Sequence, residues 1–142
     1  VSKPFSEEAR QEFLAGKHIA VISVATDDGR PPVGVPIWYV YEPGGNILIN
    51  TGASSRKARL LEKAGAVTVV VQQEELPYQY VIVEGSVVDV AKPSPPEARE
   101  KIAVHYLGEE AGKKFASGLG EGSVLFTIRP DRWITADFTG EL

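Results

Sequence analysis

The chain contains no cysteine and only two histidines, His18 and His105. The first absence removes disulfides, thiol nucleophiles, thiolate metal sites and redox-active pairs. Two histidines are too few for a zinc site of His ligands alone, and no metal is expected. A basic excess is also lacking, since 15 Lys and Arg stand against 19 Asp and Glu, for a net charge of −4. Binders of duplex DNA that rely on phosphate contacts are normally basic, so nucleic acid is not the expected partner. No apolar run approaches the length of a bilayer span and no signal-peptide pattern opens the chain. The expected setting is cytoplasmic, with no membrane partner. What is present is ordinary for one soluble domain over residues 1–142, with 43% apolar and 24% charged residues. Such a chain borrows its chemistry from a bound cofactor or does none.

Local patterns predict mostly strands. Ser6 followed by Glu7 and Glu8 reads as the capped start of a helix that Gly16 stops. Strand-like runs follow over 18–26, 33–41 and 47–51, separated by the turn compositions Asp27-Asp28-Gly29 and Pro43-Gly44-Gly45-Asn46. Pro36 inside the second run marks an edge or a bulge, because proline cannot donate to a ladder. A helix over about 54–64 interrupts the strands, which resume over 66–72 and 78–90, with Gly85 as a bend. Ser94-Pro95-Pro96-Glu97 has capping-box spacing and opens a helix carrying Ala98, Ile102 and Tyr106; a further short helix spans 109–116. Runs over 123–128 and 133–138 close the chain around Arg129-Pro130-Asp131. About six strands, with helices inserted rather than alternating, predict a mainly β domain: a closed or partly closed antiparallel barrel.

Three groups of residues are candidates for chemistry. The stretch from Asn50 to Leu61 is strand, glycine turn, hydroxyl cap and helix, with Arg56 and Lys57 in the first turn. Free backbone N–H groups, hydroxyls and cations together make an anion site. On a wheel of about 100° per residue, Lys57 falls among Leu60, Leu61 and Ala64 on the apolar face. Such a lysine either snorkels past the helix end or meets a buried anion. Arg56, Arg59 and Lys63 form a neighbouring basic stripe. The second group is Pro36-Ile37-Trp38, where the broken ladder frees backbone groups and Trp38 offers an aromatic wall. The third is Tyr78, Tyr80 and Trp133, as ring-pocket linings or as core. No Ser-His-Asp set or paired-carboxylate site emerges, and no catalytic residue is assigned.

The order of elements, with Asn50-Thr51 followed by Ser55-Arg56-Lys57, resembles the pyridoxamine 5′-phosphate oxidase-like superfamily of split β-barrel flavin and deazaflavin proteins. Val83-Glu84-Gly85 and Arg129-Pro130-Asp131-Arg132-Trp133 are similar to further landmarks of that superfamily. The resemblance runs from about His18 to Phe138. It implies a homodimer with cofactor sites at the subunit interface. Thr51, Ser55, Arg56 and Lys57 would hold the cofactor phosphate, and Asn50 would contact the cofactor. Pro36, Ile37 and Trp38 would run along its tricyclic ring, and Trp133 would come from the partner subunit.

The residues after Trp133 lack the oxidases' Arg-x-His segment. Tyr80 stands where they carry a flavin-contacting Gln, and the strand with Pro36 lacks their usual Arg. A substrate other than the vitamin is therefore expected. The Pro-Ile-Trp style is closer to the branches using the deazaflavin coenzyme F420, whose anionic tail the basic stripe would receive, with FMN close behind. The expected function is an oxidoreductase transferring hydride between that cofactor and a small organic substrate, with Tyr39 or Tyr80 as conceivable proton donors. The alternative is a non-catalytic flavin or haem carrier on the same barrel.

Overall fold

The structure is a computed structural model and describes residues 2–141. Helix α1 (Glu7–Ala15) starts where Ser6 Oγ accepts the Ala9 N–H at 3.1 Å, with Glu7 and Glu8 at the positive end of the helix dipole. The strands are β1 (Ala20–Val24), β2 (Val33–Ile37), β3 (Tyr39–Tyr41), β4 (Ile47–Gly52), β5 (Ala66–Gln73), β6 (Gln79–Ala91) and β7 (Ser123–Asp137). They form one antiparallel sheet in the order β2-β1-β5-β6-β7-β4-β3. The two edge strands are consecutive in the chain, with Trp38 alone between them. Residues two apart lie within about 7 Å of each other, so the sheet curls until its edges meet at Trp38. The fold is a split β-barrel with short flanking helices.

Two departures from the sequence reading adjust the strand count to seven. The run over 33–41 divides at Trp38 into β2 and β3, which end on opposite edges. The runs over 123–128 and 133–138 are instead one strand: β7 continues through Pro130, and the pairing passes from Glu84↔Arg132 to Gly85↔Pro130. Asp131 is the bulged residue. Gly85 is required opposite it, because a Cβ there would sit 2.6 Å from Ile128 Cγ2 and 2.9 Å from the Arg129 carbonyl oxygen. Pro36 is tolerated because β2 has a neighbour on one side only.

Period-two alternation sorts the strands into two faces. The inward row Ile22–Val69–Val83–Trp133 belongs to the barrel core, with Ile22, Val69 and Val83 fully buried. The outward row is Pro36–Val21–Val70–Ile82–Ile134, also apolar and aligned across five strands. A second, smaller cluster forms where α3 (Pro96–Leu107) lies over the outer side of β3, β4 and β7, joining Ala98, Ile102 and Tyr106 to Val40 and Leu125. Helix α4 (Glu109–Ser117) folds back on α3 through Gly108, whose φ of +88° favours glycine.

The capping box expected at Ser94 does not form. The N-cap of α3 is Pro95, and Ser94 Oγ instead shares a 2.7 Å hydrogen bond with Ser123 Oγ. Among the described residues no helix is long and apolar enough to cross a membrane, and no cluster of metal-ligating side chains occurs.

Candidate functional site

A cavity of about 440 Å³ opens between the outer face of β4 and the α3–α4 hairpin. Trp38, Asn50 and Thr51 line it from the barrel side, and Arg99, Ile102 and Phe115 from the helices. Trp38 is held flat against Tyr106, with ring centroids 4.7 Å apart and planes 10° from parallel. Tyr106 is itself pinned. Its hydroxyl donates to the His18 carbonyl at 2.6 Å and accepts the Tyr39 N–H at 2.9 Å. Asn50 faces outward from β4, and its side-chain oxygen is buried without a hydrogen-bond partner. A buried acceptor left open in a largely apolar cavity is costly unless a ligand donor meets it.

One turn further along the chain lies a second hollow, of about 490 Å³, which Ser55 and Arg56 help to line. Here β4 gives way to α2 (Arg56–Ala64), whose N-cap Ser55 accepts the Ala58 N–H at 3.2 Å. Hydrogen bonds of the first turn begin at Ala58 and Arg59, so the N–H groups of Arg56 and Lys57 point out of the helix start. Arg56 Nη2 is buried with no hydrogen bond, 3.9 Å from Asp28. Lys57 is half-buried and has no ion-pair or hydrogen-bond partner among the described residues. Two under-used cations at a helix N-terminus fit a phosphate.

Two cations of the basic stripe beside them are paired within the chain. Arg59 and Lys63 both contact the Asp27 carboxylate, at 2.8 and 3.0 Å. Their hydrogen bonds, Arg59's first, hold the Asp27 carboxyl far below the usual range. The apolar face of α2 is also narrower than the wheel implies: Ala58, Leu60 and Leu61 are buried, whereas Ala64 is exposed.

Of the residues singled out from sequence, Trp38, Asn50 and Thr51 share the cavity beneath the α3–α4 hairpin, and Ser55 and Arg56 share the second hollow. Pro36 faces a different depression, beside Val21 and Val70, and Ile37 packs against the barrel core. Trp133 is not brought to the cavity. It lies on the inward row of β7, edge-on to Tyr41, with the Arg10 guanidinium 4.2 Å above its ring. Tyr80 pairs with Ala136 and Trp133 with Val83, so the two aromatics have opposite parity and face opposite sides of the sheet. Tyr39 is withdrawn from any proton-donor role: it is fully buried, donates to the Leu14 carbonyl at 2.7 Å, and burial drives its pKa far upward.

The sequence reading missed Arg99. A signal was available, because Arg99, Ile102 and Tyr106 follow the i, i+3, i+7 spacing of one helix face.

The family model for pyridoxamine 5′-phosphate oxidase matches residues 6–136, and the chain belongs to that family. No curated protein matches the sequence. Solved structures do. An F420 reductase is 19% identical, with a TM-score of 0.71, covering 87% of this chain and 94% of its own. A conserved hypothetical protein from Mycobacterium tuberculosis is 21% identical, with a TM-score of 0.76, covering 94% and 85%. A haem-storage protein from Vibrio cholerae is 15% identical, with a TM-score of 0.69, covering 92% and 94%. At these identities the likeness is one of fold, and the fold serves both redox and storage roles.

Proposed function

We propose that this chain is an oxidoreductase that transfers hydride between a bound flavin-type cofactor, FMN or the deazaflavin F420, and a small organic substrate. The observation that carries this reading is one continuous segment. Asn50 and Thr51 enter the cavity beneath the α3–α4 hairpin, and five residues later Ser55, Arg56 and Lys57 form a cationic helix start. A ligand with a flat heteroaromatic ring and a phosphate matches that pair of features. The unpartnered Asn50 oxygen fits a ring N–H, and the Trp38 indole offers the apolar wall.

When bound, the cofactor supplies the two-electron chemistry. The protein's own contribution is binding and placement. Ser55, Arg56 and Lys57 hold the phosphate, Asn50 orients the ring edge, and Trp38 with the α3–α4 hairpin keeps water away. Orientation of substrate against the ring then provides most of the rate enhancement. Membership of the family and the F420 reductase among the structural neighbours support a flavin-type cofactor.

The same reading makes the protein a homodimer. The outward row Pro36–Val21–Val70–Ile82–Ile134 is apolar over its full width, and Val21 and Ile134 remain 40% and 43% exposed. Such a stripe across a sheet face suits burial against a second copy. Pro36 stands at its end, one residue before Ile37 and Trp38, so a ring lying along these residues would reach the subunit boundary.

The test is a fluorescence titration of the protein with FMN and, separately, with F420, comparing the native chain with Lys57→Ala. Saturable binding of one cofactor is expected, weakened in the variant by about 1.5–3 kcal/mol, the scale of a hydrogen bond to a charged group. Reduced cofactor on the protein should then be reoxidised by an organic acceptor faster than free cofactor. Unchanged affinity in Lys57→Ala would remove the phosphate site, and tight binding without turnover would make the chain a carrier.

A further inference from the structure

Arg99 is only 9% exposed and lines the cavity beneath the α3–α4 hairpin, yet no carboxylate pairs with it among the described residues. Its Nη1 donates to the Ser94 carbonyl at 2.6 Å and more weakly to Ser94 Oγ at 3.3 Å. Its Nε is buried without a partner, and Nη2 makes no hydrogen bond. The residue also stands in the first turn of α3, where the helix dipole disfavours a cation. Burial, the missing counter-charge and the dipole all act against this placement, and the two bonds to Ser94 are small compensation. Packing alone would be served better by a leucine or methionine at this position of the stripe.

We propose that Arg99 is the receptor for the carboxylate of a small organic anion whose apolar body lies in the cavity. Arg99 is the one charged side chain among the residues lining that space; Ile102, Phe115, Leu119 and the Trp38 indole make most of the remainder apolar. One cation in a largely apolar cavity matches a monoanion better than a doubly charged phosphate. The planar guanidinium, with one nitrogen committed to Ser94 and the rest unpaired, suits a planar carboxylate. The phosphate-type site lies elsewhere, at the start of α2, where Arg56 and Lys57 stand. If the cofactor reading above holds, this anion is the substrate, placed beside the ring. The anion site itself does not depend on that reading.

The experiment uses the cofactor-free chain and follows tryptophan fluorescence, since Trp38 borders the cavity. The probes are benzoate, 3-phenylpropanoate, the amide of the latter, and inorganic phosphate. At least one aromatic carboxylate is expected to bind saturably while the amide binds about tenfold more weakly or worse. Arg99→Met should weaken the carboxylate by about tenfold or more, and Arg99→Lys should recover part of the loss. Circular dichroism confirms that each variant folds. Lack of carboxylate binding in the native chain overturns the proposal, as does equal binding of the amide. Retention of carboxylate binding by Arg99→Met does so too. Arg99-dependent binding of phosphate alone would refute the carboxylate assignment. Failure of FMN and F420 to bind, with the carboxylate result intact, would instead sink only the cofactor reading.

Discussion

The Trp38 indole lies parallel to the Tyr106 ring, with centroids 4.7 Å apart, at the point where the two edge strands of the barrel meet. One hydroxyl holds this arrangement. Tyr106 joins α3 to the backbone of His18 on one side and of Tyr39 on the other. The wall of the cavity and the closure of the barrel are therefore maintained by the same side chain.

Tyr106→Phe is expected to leave the Tyr39 N–H and the His18 carbonyl short of a partner, at a cost of about 1–3 kcal/mol. Urea denaturation measures that loss. The stacked indole should loosen as well, seen as a shift in tryptophan emission in the folded state. A variant as stable as the native chain would show that water takes the place of the hydroxyl.

Stability should fall above pH 10. Burial raises the pKa of Tyr39 and Tyr106 above the ordinary 10.0. The unfolded chain releases these protons near pH 10 while the folded chain keeps them, so the stabilisation is complete below that pH and lost as pH rises beyond it. For Tyr39 the slope approaches about 1.4 kcal/mol per pH unit. Denaturation midpoints across pH 8–11.5 should show the decline, and Tyr39→Phe should flatten it.

Gly112 is where α3 and α4 touch. An added Cβ would lie 2.5 Å from Val104 Cα and 2.6 Å from its nitrogen, both backbone atoms that cannot swing aside. Gly112→Ala should destabilise the chain by about 1–3 kcal/mol and open the cavity roof. Gly118→Ala is the control, since its nearest neighbour would be at 3.5 Å. The thermal midpoint of the first should drop while that of the second stays close to native.

Asp27→Asn should release Arg59 and Lys63. If the bound cofactor carries a polyanionic tail, its affinity in calorimetric titration should rise in this variant, most clearly at low salt, while FMN affinity stays constant. In the native chain the pairing of Asp27 is present at neutral pH. Because its carboxyl is held low in the folded state, the pairing outlasts the ordinary 3.8, and the stability it contributes fades as pH falls from that value towards the lower folded-state one.

Much of this protein was legible locally. The alternation of Ile22, Val69 and Val83 with outward neighbours, the Ser6 and Ser55 caps, and the Gly85 bend depend on residues a few positions apart and on backbone geometry. The anion site proposed at Ser55-Arg56-Lys57 likewise rests on one strand-to-helix turn. Other features were settled only by contacts across the chain. Trp38 divides one apparent strand into two because the sheet closes there, and Asp131 is absorbed as a bulge because β6 offers a glycine opposite it. Asp27 pairs with Arg59 and Lys63, 32 and 36 residues away, a pairing no periodicity encodes. Arg99 shows the division most plainly. Helical spacing puts it on the buried stripe of α3, but only the packing of α3 and α4 against β4 shows it bordering a cavity without a counter-charge. Burial and pairing belong to surfaces made by distant segments, whereas caps, turns and alternation belong to neighbours.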